Sequence, residues 1–121
     1  MYPHFELSKF IMYLERTTEQ SWCTGIVRTK DQKANCLFGH LFEYGGNNNN
    51  TANAVWDLFE NNIATTFMVY RVNDGEHPEY QQKTPKQRCI AYLRDINCGK
   101  QQNVRDMMTA EFERQREEHA I

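Results

Sequence analysis

The sequence predicts an α+β fold, mostly α, with about four to five helices around a small two- or three-stranded antiparallel sheet. Three observations predict it. Apolar residues recur at i, i+3, i+4 and i+7 in four separate stretches, the spacing of one helical face. Two short runs, 22–28 and 65–72, are instead alternating or rich in β-branched and aromatic residues, the signature of strands. A length of 121 residues fits one domain with a core that needs no staples.

The elements follow in order. Residues 4–20 read as the first helix, with Leu7, Phe10, Ile11 and Leu14 on the apolar face and Glu6, Lys9, Glu15 and Arg16 opposite. Trp22, Thr24 and Ile26 then alternate with Cys23, Gly25 and Val27, which predicts a strand. A polar turn around Asp31 leads to a helix with Leu37, His40, Leu41 and Tyr44 on one face, Asn35 as N-cap and Gly45-Gly46 as its stop. Gly39 lies inside this helix. Glycine there costs about 1 kcal/mol against alanine, so it is either tolerated or useful, the use being close approach by another backbone or by Trp22, with approach of a ligand as the alternative.

The polar segment 45–50, GGNNNN, reads as a loop. A third helix starts at Thr51 and repeats Ala52, Val55, Trp56 and Phe59. The run 65–72 is expected to pair with 22–28, with a continued helix as the alternative. Asn73 to Pro78 has turn composition. Thr84-Pro85 opens a helix as N-cap and N1, with Gln87 in capping-box position and Cys89, Tyr92, Leu93 and Ile96 facing inward. Gly99 closes it. Residues 101–119 make a last helix with a thin stripe of Val104, Met107, Met108 and Phe112, and fraying is expected over about 114–121. Residues 1–121 are thus read as a single globular domain. Trp22, Leu37, Leu41, Trp56 and Leu93 are the expected core.

A net charge of −2 supports neither a basic nucleic-acid-binding face nor a strongly acidic mimic, so direct nucleic-acid binding is not expected. No apolar run reaches 18 residues, and MYPHFELSKF lacks the pattern of a signal peptide. A cytoplasmic location with reduced, buried cysteines follows as the expectation.

Cys36 and His40 are one helical turn apart, and Cys23 lies on the adjacent run. A cysteine enzyme using Cys23 or Cys36 with His40 as base is conceivable on this spacing, as is a metal-stabilised module. The cysteines lack C-x-x-C spacing, a histidine among core leucines is ordinarily a packed residue, and neither a catalytic residue, a metal site nor a cofactor is expected. Binding residues are expected instead where strand ends, the 45–50 loop and the 73–78 turn converge. Asn73, Asp74, His77 and Tyr80 offer polar and aromatic groups there, with Trp22 and His40 behind them. The 104–112 stripe is a rival surface, suited to a homodimer.

The order Trp22-Cys23-x-Gly25, Cys36-Leu37-x-Gly39-x-Leu41, Asn73-Asp74 and Thr84-Pro85 resembles a family of short bacterial and phage proteins of unknown function. In that family a W-x-x-G motif leads to a C-x-x-G-A-L helix start, a W-N-D turn and a further helix. The resemblance spans roughly residues 5–96. Val72 stands where the family often has tryptophan, and His40 where alanine is common. The resemblance implies a phage or bacterial cytosolic origin and carries no catalytic residue. A small phage-encoded binding protein that engages a host protein or a small nucleotide ligand, as an inhibitor of host defence would, is the resulting expectation.

Overall fold

The computed structural model describes residues 5–31, 33–46 and 49–119. Six α-helices account for most of them: α1 Leu7–Glu15, α2 Leu37–Tyr44, α3 Asn49–Asn62, α4 Thr66–Asn73, α5 Pro85–Asn97 and α6 Val104–His119, with a single 3-10 turn at Glu19–Ser21. The expected sheet is not there. Among the described residues only two isolated bridges occur, Trp22 with Asn35 and Arg28 with Asn35.

Each missing strand has a local cause. In 22–28 the alternation does not correspond to burial, because Thr24, Gly25, Ile26 and Val27 are all exposed. Gly25 adopts a φ of 78°, which breaks the extended path. The segment instead loops over the start of α2, held by Cys23 N–H to Asn35 O at 2.9 Å and Cys36 N–H to Val27 O at 2.9 Å. The second run, expected to pair with it, is α4. Thr65 Oγ1 accepts the Met68 N–H, an N-cap that outweighs the β-branched composition. Val69, Val72 and Asn73 then fall at i, i+3 and i+4 on the buried face.

The helix count therefore exceeds the expected four to five. α1 is shorter than 4–20, and α2 takes Cys36 rather than Asn35 as its N-cap. α3 begins two residues before Thr51, inside the 45–50 segment; Asn47 and Asn48 lie outside the described residues. Thr84 caps α5 through the Gln87 N–H, with Pro85 at N1.

α5 packs against both α1 and α4, and α2 packs on α3. Phe10, Leu14, Leu37, Phe38, Leu41, Phe59, Val69, Val72 and Leu93 fill the space between them. Trp22 is buried with this core; Trp56 is half-buried and stacks on Phe38 with centroids 4.3 Å apart. α6 touches the body at α3 and through Val104 N–H to Ile63 O. From Arg105 to Glu118 every residue is exposed, past the point where fraying is expected.

Candidate functional site

The start of α2, the 23–27 loop and the end of α4 meet at Asn73. Its side chain is completely buried, 0% exposed. Asn73 Oδ1 accepts the Leu37 N–H at 3.0 Å, one of the orphan donors of the first turn of α2. Asn73 Nδ2 donates to Cys23 O at 3.0 Å and to Asp74 Oδ1 at 3.0 Å. Asp74 Oδ1 also accepts the Gly25 N–H at 3.1 Å. Two adjacent side chains thus fix a loop and a helix that lie far away in sequence.

Arg88 holds this pair from behind. Its guanidinium donates to Val72 O, Asn73 O and Gln82 O, closing the carbonyl end of α4 with a fork of N–H groups. Gly39 lets the loop come close. A Cβ there would lie 2.5 Å from Val27 O and 2.6 Å from Asn35 Cβ, so the glycine does permit the approach of another backbone. Asn35, Arg28 and Glu43 tie the same loop to the outer side of α2: Arg28 Nε donates to Asn35 Oδ1 at 2.7 Å, and Asn35 Nδ2 to Glu43 Oε1 at 3.2 Å.

His40 is buried against Trp22, ring centroids 4.2 Å apart. Its Nε2 lies 2.9 Å from Ser21 O. A carbonyl only accepts, so Nε2 carries the proton and Nδ1 is a lone pair, which has no hydrogen-bond partner among the described residues. Burial holds the His40 pKa below the usual histidine range. Burial also raises the thiols of Cys23 and Cys36; Asp74 adds to the rise at Cys23, while the N–H groups of Gly39 and Phe38 oppose it at Cys36. An activated cysteine needs the opposite shift and a base on its sulfur, whereas His40 directs its N–H to a backbone carbonyl. Cys23 Sγ is directed to Ile26 O at 3.5 Å. Among the described residues no three His, Cys, Asp or Glu side chains gather as metal ligands would.

The residues expected to bind are therefore divided. Asn73 and Asp74 do meet the 23–27 loop. His77 and Tyr80, four to seven positions on, turn to α5. Tyr80 donates its hydroxyl to Asp95 Oδ2 at 2.8 Å, and its ring packs on Tyr92 and His77. Trp22, His40, Asn73, His77 and Tyr80 are buried, and Asp74 is half-buried. Gly45 lies at the other end of α2, about 12 Å along its axis from Leu37, so the beginning of the 45–50 segment is not at this junction.

What the junction offers outward is the loop tip. Ile26 is 52% and Val27 37% exposed, on a loop whose backbone is fixed at Cys23, Gly25 and Val27. The second outward apolar feature is the α6 stripe. Met107, Met108 and Phe112, with Thr65 and Val104, line a groove of about 520 Å³. The wall formed by Thr65 at the start of α4 escapes sequence reasoning, because 65–72 reads as strand.

Comparison with protein-family models, curated proteins and solved structures finds no match to this chain.

Proposed function

We propose that this chain is a small binding protein that engages a protein partner through the 23–27 loop tip beside Asp74. One observation carries the reading: Ile26 and Val27 project from a loop pinned by the buried Asn73 and by the Gly25–Asp74 hydrogen bond. Scattered exposed aliphatic residues are ordinary, but a prefixed backbone lowers the ordering cost of contact. Between Trp22 and Val27 the loop has no lysine or arginine, and Arg28 beside it is engaged by Asn35 and Glu43. That favours a protein surface over a small nucleotide ligand, whose phosphates call for cationic or N–H donors.

The resemblance to short phage and bacterial proteins supports a phage-encoded protein acting in the cytoplasm of a bacterial host, and inhibition of a host defence protein is the role we propose. Among the described residues no helix is long and apolar enough to cross a membrane. A cysteine enzyme based on Cys23 or Cys36 with His40 is disfavoured by the raised thiols and the direction of the imidazole N–H. Self-association through 104–112 is a second reading, on a separate surface, favoured by the exposure of Met107, Met108 and Phe112.

The test is capture of host proteins on immobilised wild-type chain and on the Ile26→Asp, Val27→Asp double variant. Both substitutions are at exposed positions, so thermal melting should be unchanged. A host protein retained by the wild type and lost by the variant supports the reading. Equal capture by both overturns it.

A further inference from the structure

We propose that the chain binds a small aliphatic monocarboxylate in the cavity between α4, α5 and the first turn of α6. This cavity measures about 400 Å³, within the range of small-molecule sites. It adjoins the α6 groove, with which it shares Thr65, Val104 and Met107, and it is separate from the 23–27 loop.

Backbone hydrogen bonds fix its walls. Val104 N–H donates to Ile63 O at 3.1 Å, joining the start of α6 to the chain just beyond α3. Lys100 and Gln101 N–H both donate to Asp95 O, at 2.8 and 3.1 Å, and turn the linker back over the end of α5. Ile63, Met68 and Met107 supply apolar surface, and methionine adapts to the shape of a flexible chain.

The deciding group is Tyr92. Only 4% of it is exposed, and its ring is held edge-on by Tyr80 with centroids 5.2 Å apart. The Tyr80 hydroxyl has Asp95 as its acceptor, whereas the Tyr92 hydroxyl makes no hydrogen bond among the described residues. His40 Nδ1 is the one polar side-chain atom among them that is sealed off without a partner. The Tyr92 hydroxyl is therefore not sealed, and the opening that Tyr92 lines is this cavity. Burial, with Cys89 adding to it, pushes the Tyr92 pKa up to about 12. The hydroxyl thus keeps its proton near neutral pH and offers a donor.

The lining selects an anion. Lys100 lines the cavity without an ion pair among the described residues, and no carboxylate lines it with them. The nearby Asp95 accepts from Tyr80, and Glu79 accepts from Gln101. One cation with the Tyr92 and Thr65 hydroxyls suits a monoanion, whereas a phosphate dianion calls for more charged donors. At about 30 Å³ per packed non-hydrogen atom, water's share of its liquid, the volume suits a straight-chain carboxylate of about ten carbons.

Titration calorimetry of the full chain with decanoate tests the site. A single decanoate per chain is expected, with weaker binding of decanol, which lacks the charge. Tyr92→Phe and Lys100→Ala should each weaken decanoate roughly tenfold, the loss of one good hydrogen bond. Tyr92→Phe removes only an unpartnered hydroxyl, so the melting temperature of the free chain should not fall. Met108→Glu alters the α6 groove but not this cavity and should leave binding unchanged. Decanoate that does not bind at millimolar concentration, or that binds the wild type, Tyr92→Phe and Lys100→Ala equally, overturns the proposal. Binding lost in Met108→Glu alone moves the ligand to the outer groove and likewise overturns it. A free Tyr92→Phe chain that melts lower shows the hydroxyl engaged within the fold, with the same consequence. Decanol as tight as decanoate, or decyl phosphate tighter, overturns the carboxylate as the ligand class.

Discussion

Asn73 Oδ1 accepts the backbone N–H of Leu37 across 36 positions of sequence, at 3.0 Å and with the Asn73 side chain fully buried. A side chain at the last residue of one helix thus satisfies the first residue of another. Asn73→Ala removes the acceptor for Leu37 and the donor for Cys23 O together. Unsatisfied buried groups cost about 1–3 kcal/mol each, so a loss of roughly 2–4 kcal/mol is expected in urea unfolding. Asn73→Asp should be worse at neutral pH than at pH 4, because it sets a carboxylate oxygen against Cys23 O and Asp74. Equal stability of wild type and Asn73→Ala would mean that the junction contributes nothing to folding.

Gly39→Ala tests the loop crossing. Helix propensity alone predicts a gain of about 1 kcal/mol. The new methyl group would meet Val27 O and Asn35 Cβ, neither of them the end of a flexible side chain. Overpacking of this kind costs about 1–3 kcal/mol, so the net change should be a lower melting temperature. A rise in melting temperature would show that the loop shifts away freely.

Arg88 contributes a fork, not only a charge. Arg88→Lys keeps the cation but cannot reach Val72 O, Asn73 O and Gln82 O together, and Arg88→Met reaches none of them. Stability should fall in the order Arg, Lys, Met, with Arg88→Met costing on the order of 2–4 kcal/mol. Chemical denaturation of the three chains gives the order directly. Lysine matching arginine would reduce the role of Arg88 to charge at the helix end.

His40 sets a pH dependence. Burial lowers its folded pKa below 6.5, so between the two values the unfolded chain binds the extra proton. Its contribution is complete above pH 6.5 and is lost as pH falls through the depressed folded value. His40→Gln keeps an N–H donor for Ser21 O without the titration. Urea midpoints from pH 8 to pH 5 should fall in the wild type and fall less in His40→Gln. Parallel curves would assign the acid sensitivity to other groups.

Much of the helical layout is legible in the sequence, because capping and period agree. Thr84-Pro85 marks the start of α5, and Gly39 signals a close backbone. The error at 65–72 has a specific origin. By composition Thr65 is a β-former, yet in the structure it is an N-cap, and Val69, Val72 and Asn73 have helical spacing. At 22–28 the alternation of residue types carried no information on burial. The junction was legible only as a list of turn and core residues. Its partners are 36, 49 and 50 positions apart, and neither propensity nor period reports a hydrogen bond over that distance. Asn73 looks like an ordinary turn residue because its carbonyl side is one. Its side chain points the other way, into the core.

The span between Cys23 and Asn73 also sets a timetable for synthesis. Helices form from neighbours within about a microsecond, but the 23–27 loop stays unpinned until a residue fifty positions later has left the ribosome and docked. Until then α2 lacks the acceptor at its first N–H and Ile26 and Val27 have no fixed position. A nascent chain stalled before Asn73 would therefore display helical signals without the ordered tip, and the tip would become fixed only as α4 and Arg88 emerge.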